Sequence, residues 1–211
     1  MKKRTSHYIL LHIQQHASLY IFIMALLGGG VLTGALLVHR LPVEDLHPLL
    51  DPFRAYQGQE NGFWPSVNEQ VKSYTLIDIG LIVLIWCTGL TLIGLPVAWF
   101  VIFIKGMMFG FTSGVFVAQY GWQGLWISAG VVLPQNILLF PAYVIMSVHA
   151  MIFTLHIWRR IVTRQSFAPS FRTSCIRYVL VLTCMVILVA IGGLIEAYIP
   201  PLWMKWFHPH N

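Results

Sequence analysis

Between residues 74 and 120 the chain is apolar almost without break, and Asp78 and Lys105 are its only charges there. Such a run leaves few folds open. About 18 apolar residues are enough to suggest a membrane span. In the hydrocarbon only helices and closed barrels satisfy every backbone N–H and C=O. This run is long enough for two spans joined by a tight turn. Over all 211 residues, 57% are hydrophobic and 9% charged, where a soluble domain carries about 25% charged residues. There is too little polar surface to coat a globule. The sequence predicts an all-α polytopic membrane protein of about five transmembrane helices.

Charge orients the spans. The net charge is +6, and the bases cluster at Lys2-Lys3-Arg4 and again at Arg159, Arg160, Arg164, Arg172 and Arg177. Both clusters sit beside spans, where an excess of Lys and Arg marks the cytoplasmic side. Topology explains the net charge better than nucleic-acid binding does. The predicted order is a cytoplasmic N-terminus (1–16), a first span (17–38), an extracytoplasmic loop (39–73), spans at 74–93 and 97–120, a broken helix plus fourth span (125–158), a basic cytoplasmic loop (159–177), a fifth span (178–199) and an outer tail (200–211). The first span is too long for a signal-peptide core and reads as a retained signal anchor. The loop at 39–73 is the only long hydrophilic segment, and its acids outnumber its bases. Pro200-Pro201 is expected to stop the last span. A rival arrangement folds residues 109–139 into a re-entrant hairpin and sends the arginine loop outside.

Gly106, Gly110 and Gly114 are four residues apart, and Gly30 and Gly34 share that spacing. On a helix each set forms a smooth stripe. Lipid gives helices no hydrophobic reason to pair, so close backbone approach through small residues becomes useful. The stripe serves either packing within the subunit or an interface with another chain. The reading of Lys105 depends on where the chain turns. A turn at Gly94-Leu95-Pro96 places Lys105 about nine residues into the next helix, near mid-bilayer, where a lysine is a functional candidate. A turn at Ile104-Lys105-Gly106 places it at the surface. The first divides the run more evenly and is favoured. Asp78 and Glu196 are expected near the outer surface, too far in depth for Glu196 to reach Lys105. Pro134 and Pro141 are expected to break the helix between them, with Gln135 and Asn136 satisfying freed backbone groups.

No catalytic pattern stands out. There is no H-E-x-x-H, G-x-S-x-G or Walker A sequence, and no pair of acids at catalytic spacing. The nine histidines have neither cysteine nor carboxylate beside them in metal-site spacing, and the three cysteines do not suggest a structural disulfide. The expectation is no enzyme, no cofactor and no metal.

Several motifs, in order, resemble one family. They are Gly89-Leu90-Thr91-Leu92-Ile93-Gly94, the run Lys105 to Thr112, Leu133-Pro134-Gln135-Asn136-Ile137, Pro141-Ala142 and Ile195-Glu196-Ala197-Tyr198-Ile199-Pro200. Together with the early first span and long outer loop, they resemble the stage II sporulation protein M family over almost the whole chain. The wider family often has Asn at the position of Lys105, and Pro-His-Gly with a following Glu where this chain has Pro134-Gln135-Asn136 and Leu139. No role of that His and Glu carries over, and the chain looks like the sporulation branch. The resemblance implies a membrane scaffold at the sporulation septum. Such a scaffold holds peptidoglycan hydrolases resembling stage II sporulation proteins P and D, and supports septal thinning and engulfment. Homo-oligomerisation stays open. The competing reading is a small transporter or channel with a site near Pro134 and Lys105.

Overall fold

The computed structural model describes residues 14–42, 64–162 and 169–207. The acidic part of the 39–73 loop, apart from Glu69, lies outside the described residues, as do His7, His12, His208 and His210. Among the described residues five α-helices follow one another: α1 (Ala17–Val38), α2 (Trp64–Thr88), α3 (Leu95–Val131), α4 (Leu133–Val162) and α5 (Pro169–Phe207). A single 3-10 turn, Leu92–Gly94, joins α2 to α3. Pro96 occupies the first turn of α3, where a missing N–H costs nothing.

Four apolar helical stretches are long enough to cross a membrane: Ala17–Val38, Leu92–Val131, Leu133–Val162 and Arg172–Glu196. In α2 only Thr75–Thr88 is apolar. The polar first turns of α2 are helical all the same, so ten residues of the expected 39–73 loop belong to a helix.

Side-chain contacts fix the direction of each helix. Leu27 and Val31 of α1 meet Gly106 and Gly110 of α3 in ascending order, so these two helices are parallel. The tight turn makes α2 antiparallel to α3. Tyr143 reaches Asp78 and Thr154 reaches Gly89, which makes α4 parallel to α2. Tyr178 reaches Trp86, and Gly193 lies against Thr75, which makes α5 antiparallel to both. The helices therefore alternate in direction. One end of the bundle carries the α2–α3 turn. The opposite end carries the passage from α3 to α4.

That passage departs from the expected layout in three ways. Gly121 has φ +56° and ψ −133°, a backbone that side-chain-bearing residues avoid. There the chain doubles back. Gly124 comes so close to the carbonyl of Phe116 that a Cβ on it would lie 2.0 Å from the oxygen. Residues 122–131 are thus a short returning helix, where a separate turn ending at Gly124 was expected. The division before α4 falls at Val132, and Pro134 stands in the first turn of α4, where proline is tolerated. Pro141 lies inside a continuous helix and breaks nothing. Asn136 Nδ2 donates to the Val132 carbonyl at 2.7 Å, supporting the junction. Finally, α5 starts at Pro169 and runs through Pro200-Pro201 to Phe207, where a stop had been expected. Each proline removes one hydrogen bond, and a helix in lipid survives such losses where neighbours re-satisfy the freed carbonyls.

The core is continuous through the centre of the bundle. Ile23, Ile82, Ile85, Ile102, Tyr143, Met146 and Val148 have no exposed surface, or almost none. A smaller cluster of Val38, Val115 and Phe116 lies beneath the returning helix, with Ile127 and Val131 packed on it.

Candidate functional site

Asp78 is ten residues from the end of α2, and Lys105 is ten residues from the start of α3. At 1.5 Å per residue both lie about 15 Å from the joining turn. They meet there as an ion pair, with side chains 6% and 16% exposed. Tyr143 of α4 completes the group. Its hydroxyl donates to Asp78 Oδ1 at 2.9 Å, and its ring lies 5.4 Å from Lys105 Nζ, within cation–π range. Three helices are thus tied together halfway along the bundle. Asp78, expected near the outer surface, is buried. The reason is that α2 starts at Trp64, which draws Asp78 well inside the helix.

Burying two charges costs several kcal/mol each, and only close pairing with further hydrogen bonds offsets the cost. Here Asp78 accepts from both the ammonium and the phenol, and the aromatic face adds to the stabilisation of the ammonium. The ion pair is internally neutral, and both contacts fall on the same carboxylate oxygen, Asp78 Oδ1.

Glu196 and Gln135 form a second polar contact. Gln135 Nε2 donates to Glu196 Oε2 at 2.7 Å, joining α4 to α5. Gln135 precedes Tyr143 by eight residues, so its backbone lies about 12 Å further along the axis, toward the α3–α4 passage; Glu196, expected to be too far in depth to reach Lys105, nevertheless interacts electrostatically with both Asp78 and Lys105. Gly192 and Gly193 let α5 approach closely in the same region. A Cβ on Gly193 would strike Thr75 of α2 at 2.1 Å.

The glycine stripes face each other. A Cβ on Gly30 or Gly34 would fall 2.2 or 2.0 Å from the carbonyls of Phe103 and Met107. A Cβ on Gly106 or Gly110 would fall 2.2 or 2.0 Å from those of Leu27 and Val31. Gly114 lies against Val38. These five glycines therefore make one seam between α1 and α3, with backbone against backbone.

A third arrangement locks the α2–α3 turn. Tyr178 of α5 donates to the Trp86 carbonyl at 2.7 Å and stacks on Phe153 with ring centroids 4.2 Å apart. Thr154 donates to the Gly89 carbonyl at 2.7 Å. Sequence reasoning overlooked Tyr143, Tyr178 and Thr154, because nothing near them in sequence marks them. The Asp78–Lys105 pair did leave a signal: the two charges are equidistant from the turn, so an antiparallel hairpin sets them at one depth.

Among the described residues, no three His, Cys, Asp or Glu side chains group as a metal site. The family model for stage II sporulation protein M matches residues 18–201. The chain belongs to the stage II sporulation protein M family. No curated protein and no solved structure gives a significant match. The matched span takes in the glycine seam, the Asp78–Lys105–Tyr143 group and the Gln135–Glu196 bond. The protein is thus a multi-pass membrane protein of a sporulation family, and this member joins α2 to α3 through an ion pair inside the membrane.

Proposed function

We propose that this member of the stage II sporulation protein M family is a non-enzymatic membrane scaffold of the engulfment machinery. It recruits and stabilises peptidoglycan hydrolases resembling stage II sporulation proteins P and D at the septal membrane, for septal thinning and engulfment. The observation that carries the reading, beside family membership, is where the intramembrane polar groups go. Lys105, Asp78, Tyr143, Gln135 and Glu196 bond to one another across helices. Polar residues spent in this way rigidify a platform. With the amino-terminal end in the cytoplasm, the α3–α4 passage and the acidic 39–73 segment face the wall, where the hydrolases act.

The test is co-purification from sporulating membranes after crosslinking. The scaffold reading expects both hydrolases to be captured with the intact chain, and capture to fall when Gly110→Leu splits α1 from α3. It also expects no solute flux from liposomes. The buried lysine favours one rival, a transporter, because intramembrane charges mark solute paths. Flux that Lys105→Ala alters, with no hydrolase captured, would replace the scaffold by that rival.

A further inference from the structure

The polar side chains inside the bundle include two carboxyl groups but only one ammonium. Asp78 and Lys105 cancel as an ion pair. Glu196 has no such partner: among the described residues its bond is to Gln135, which is neutral. An ionised Glu196 would thus leave one uncompensated negative charge beside Asp78, and an isolated charge at membrane depth is costly.

Packing holds Glu196 in that position. Gly193 lies against Thr75 of α2, and Gly192 against Leu139 of α4. Glu196 follows them by three and four residues, so it shares their face of α5. Asp78 likewise follows Thr75 by three. On antiparallel helices the Cα atoms of Asp78 and Glu196 are then about 9 Å apart along the axis. Side chains tilt toward the amino-terminal end of their own helix, so the two carboxyl groups lean toward each other. Glu196 is accordingly within electrostatic reach of Asp78 and Lys105. The remaining groups near it do not neutralise it. Tyr143 of α4 already donates to Asp78. Lys72 of α2, level with Glu196, is exposed and, among the described residues, forms no ion pair with it. Glu69 and Lys205 stand further out along α2 and α5. Glu196 itself is only half-buried, which leaves it a route to exchange a proton with water.

We infer that Glu196 is a proton-binding site of the bundle. With α5 docked, its carboxyl group holds a proton, accepts from Gln135 at Oε2 and leaves the cluster without net charge. Loss of that proton to water sets two carboxylates against a single ammonium and loosens α5 from α2 and α4. The docking of α5 is therefore linked to proton uptake. The link is independent of whether the chain scaffolds hydrolases.

The test is infrared difference spectroscopy of the purified full chain, in a detergent without carbonyl groups, as the pH is stepped from acid to alkaline. The wild type should show a protonated-carboxyl C=O band that persists above the ordinary glutamate range, about 4.3, and then gives way to carboxylate bands. Glu196→Gln, which keeps the size and shape of the side chain, should lack that band. The folded state binds the extra proton, so stability falls as pH rises. The wild-type melting temperature should drop by up to about 3–5 °C per pH unit between the ordinary glutamate range and the pH at which the band is lost. Glu196→Gln should lose that part of the slope. Asp78→Asn leaves Lys105 in need of a counter-ion, so the Glu196 band should move to lower pH by about one to two units. A wild-type spectrum with no band above the ordinary range overturns the inference, and that outcome requires no variant to fold. A band that survives in Glu196→Gln belongs to another acid and also overturns it. So does a band that stays in place in Asp78→Asn.

Discussion

Gly110→Ala adds one methyl group to the seam between α1 and α3, and the structure says what that methyl meets. The new Cβ would stand 2.0 Å from the Val31 carbonyl oxygen, with the carbonyl carbon at 2.7 Å and the Cα at 2.8 Å. All three are backbone atoms, so no side chain can rotate out of the way. Ordinary contact begins at 3.4 Å, and α1 must therefore retreat by about 1.4 Å. A gap of 0.5–1 Å already forfeits a quarter to a half of the dispersion energy between facing atoms. The retreat also pulls Gly30 and Gly34 off the carbonyls of Phe103 and Met107, so the loss spreads along the seam. In lipid no hydrophobic term compensates. Overpacking costs about 1–3 kcal/mol, and α1 packs chiefly on α3. Net of the gain in helix propensity of up to about 1 kcal/mol from replacing glycine, the estimate is a loss of about 1–2 kcal/mol. For a chain of this length that lowers the unfolding midpoint by about 2–8 °C. The assay is a thermal melt of the purified protein in detergent, followed by tryptophan fluorescence. Gly28→Ala is the matched control, because nothing lies within 4 Å of a Cβ there. It should melt at or slightly above the wild-type temperature. If Gly110→Ala melts with the wild type, or if Gly28→Ala loses as much, the seam does not hold α1 in place.

Other substitutions probe the remaining contacts. Lys105→Met leaves Asp78 as an uncompensated buried charge and should cost about 3–5 kcal/mol in denaturant unfolding, whereas Asp78→Asn/Lys105→Met together should recover most of it. An additive double variant would mean that the pair is not coupled. Thr154→Val removes the donor to the Gly89 carbonyl and should destabilise by about 1–3 kcal/mol, the cost of an unsatisfied buried group; an unchanged melt would show that water replaces the hydroxyl. Gly121→Ala meets no atom within 4 Å, so its cost is purely conformational, about 1–3 kcal/mol. A neutral result in the same melt would mean that the chain does not double back at this residue.

Much of the architecture is local, and local features are legible in sequence. Long uncharged runs demand helices in a bilayer whatever they pack against, because the backbone has no other partner there. The all-α membrane class, the approximate number of spans and the smooth glycine faces on α1 and α3 follow from spacing alone. The proline signals misled for a related reason. Pro134 reads as a break and Pro200-Pro201 as a stop only if their position in the helix is assumed. Pro134 in fact falls in a first turn, where its missing N–H costs nothing.

What the sequence could not determine depends on which surfaces meet. Glycines show that a face is flat, but only the parallel docking of α1 on α3 decides that Gly30 and Gly34 interleave with Gly106 and Gly110. Asp78 and Lys105 are 27 residues apart, and each alone could have snorkelled to the nearer surface. The tight turn set them at one depth, and the close approach of α4 brought Tyr143 to both. An isolated charge in a membrane is expensive, so its partner decides whether it can remain there, and that partner is a property of the packed bundle.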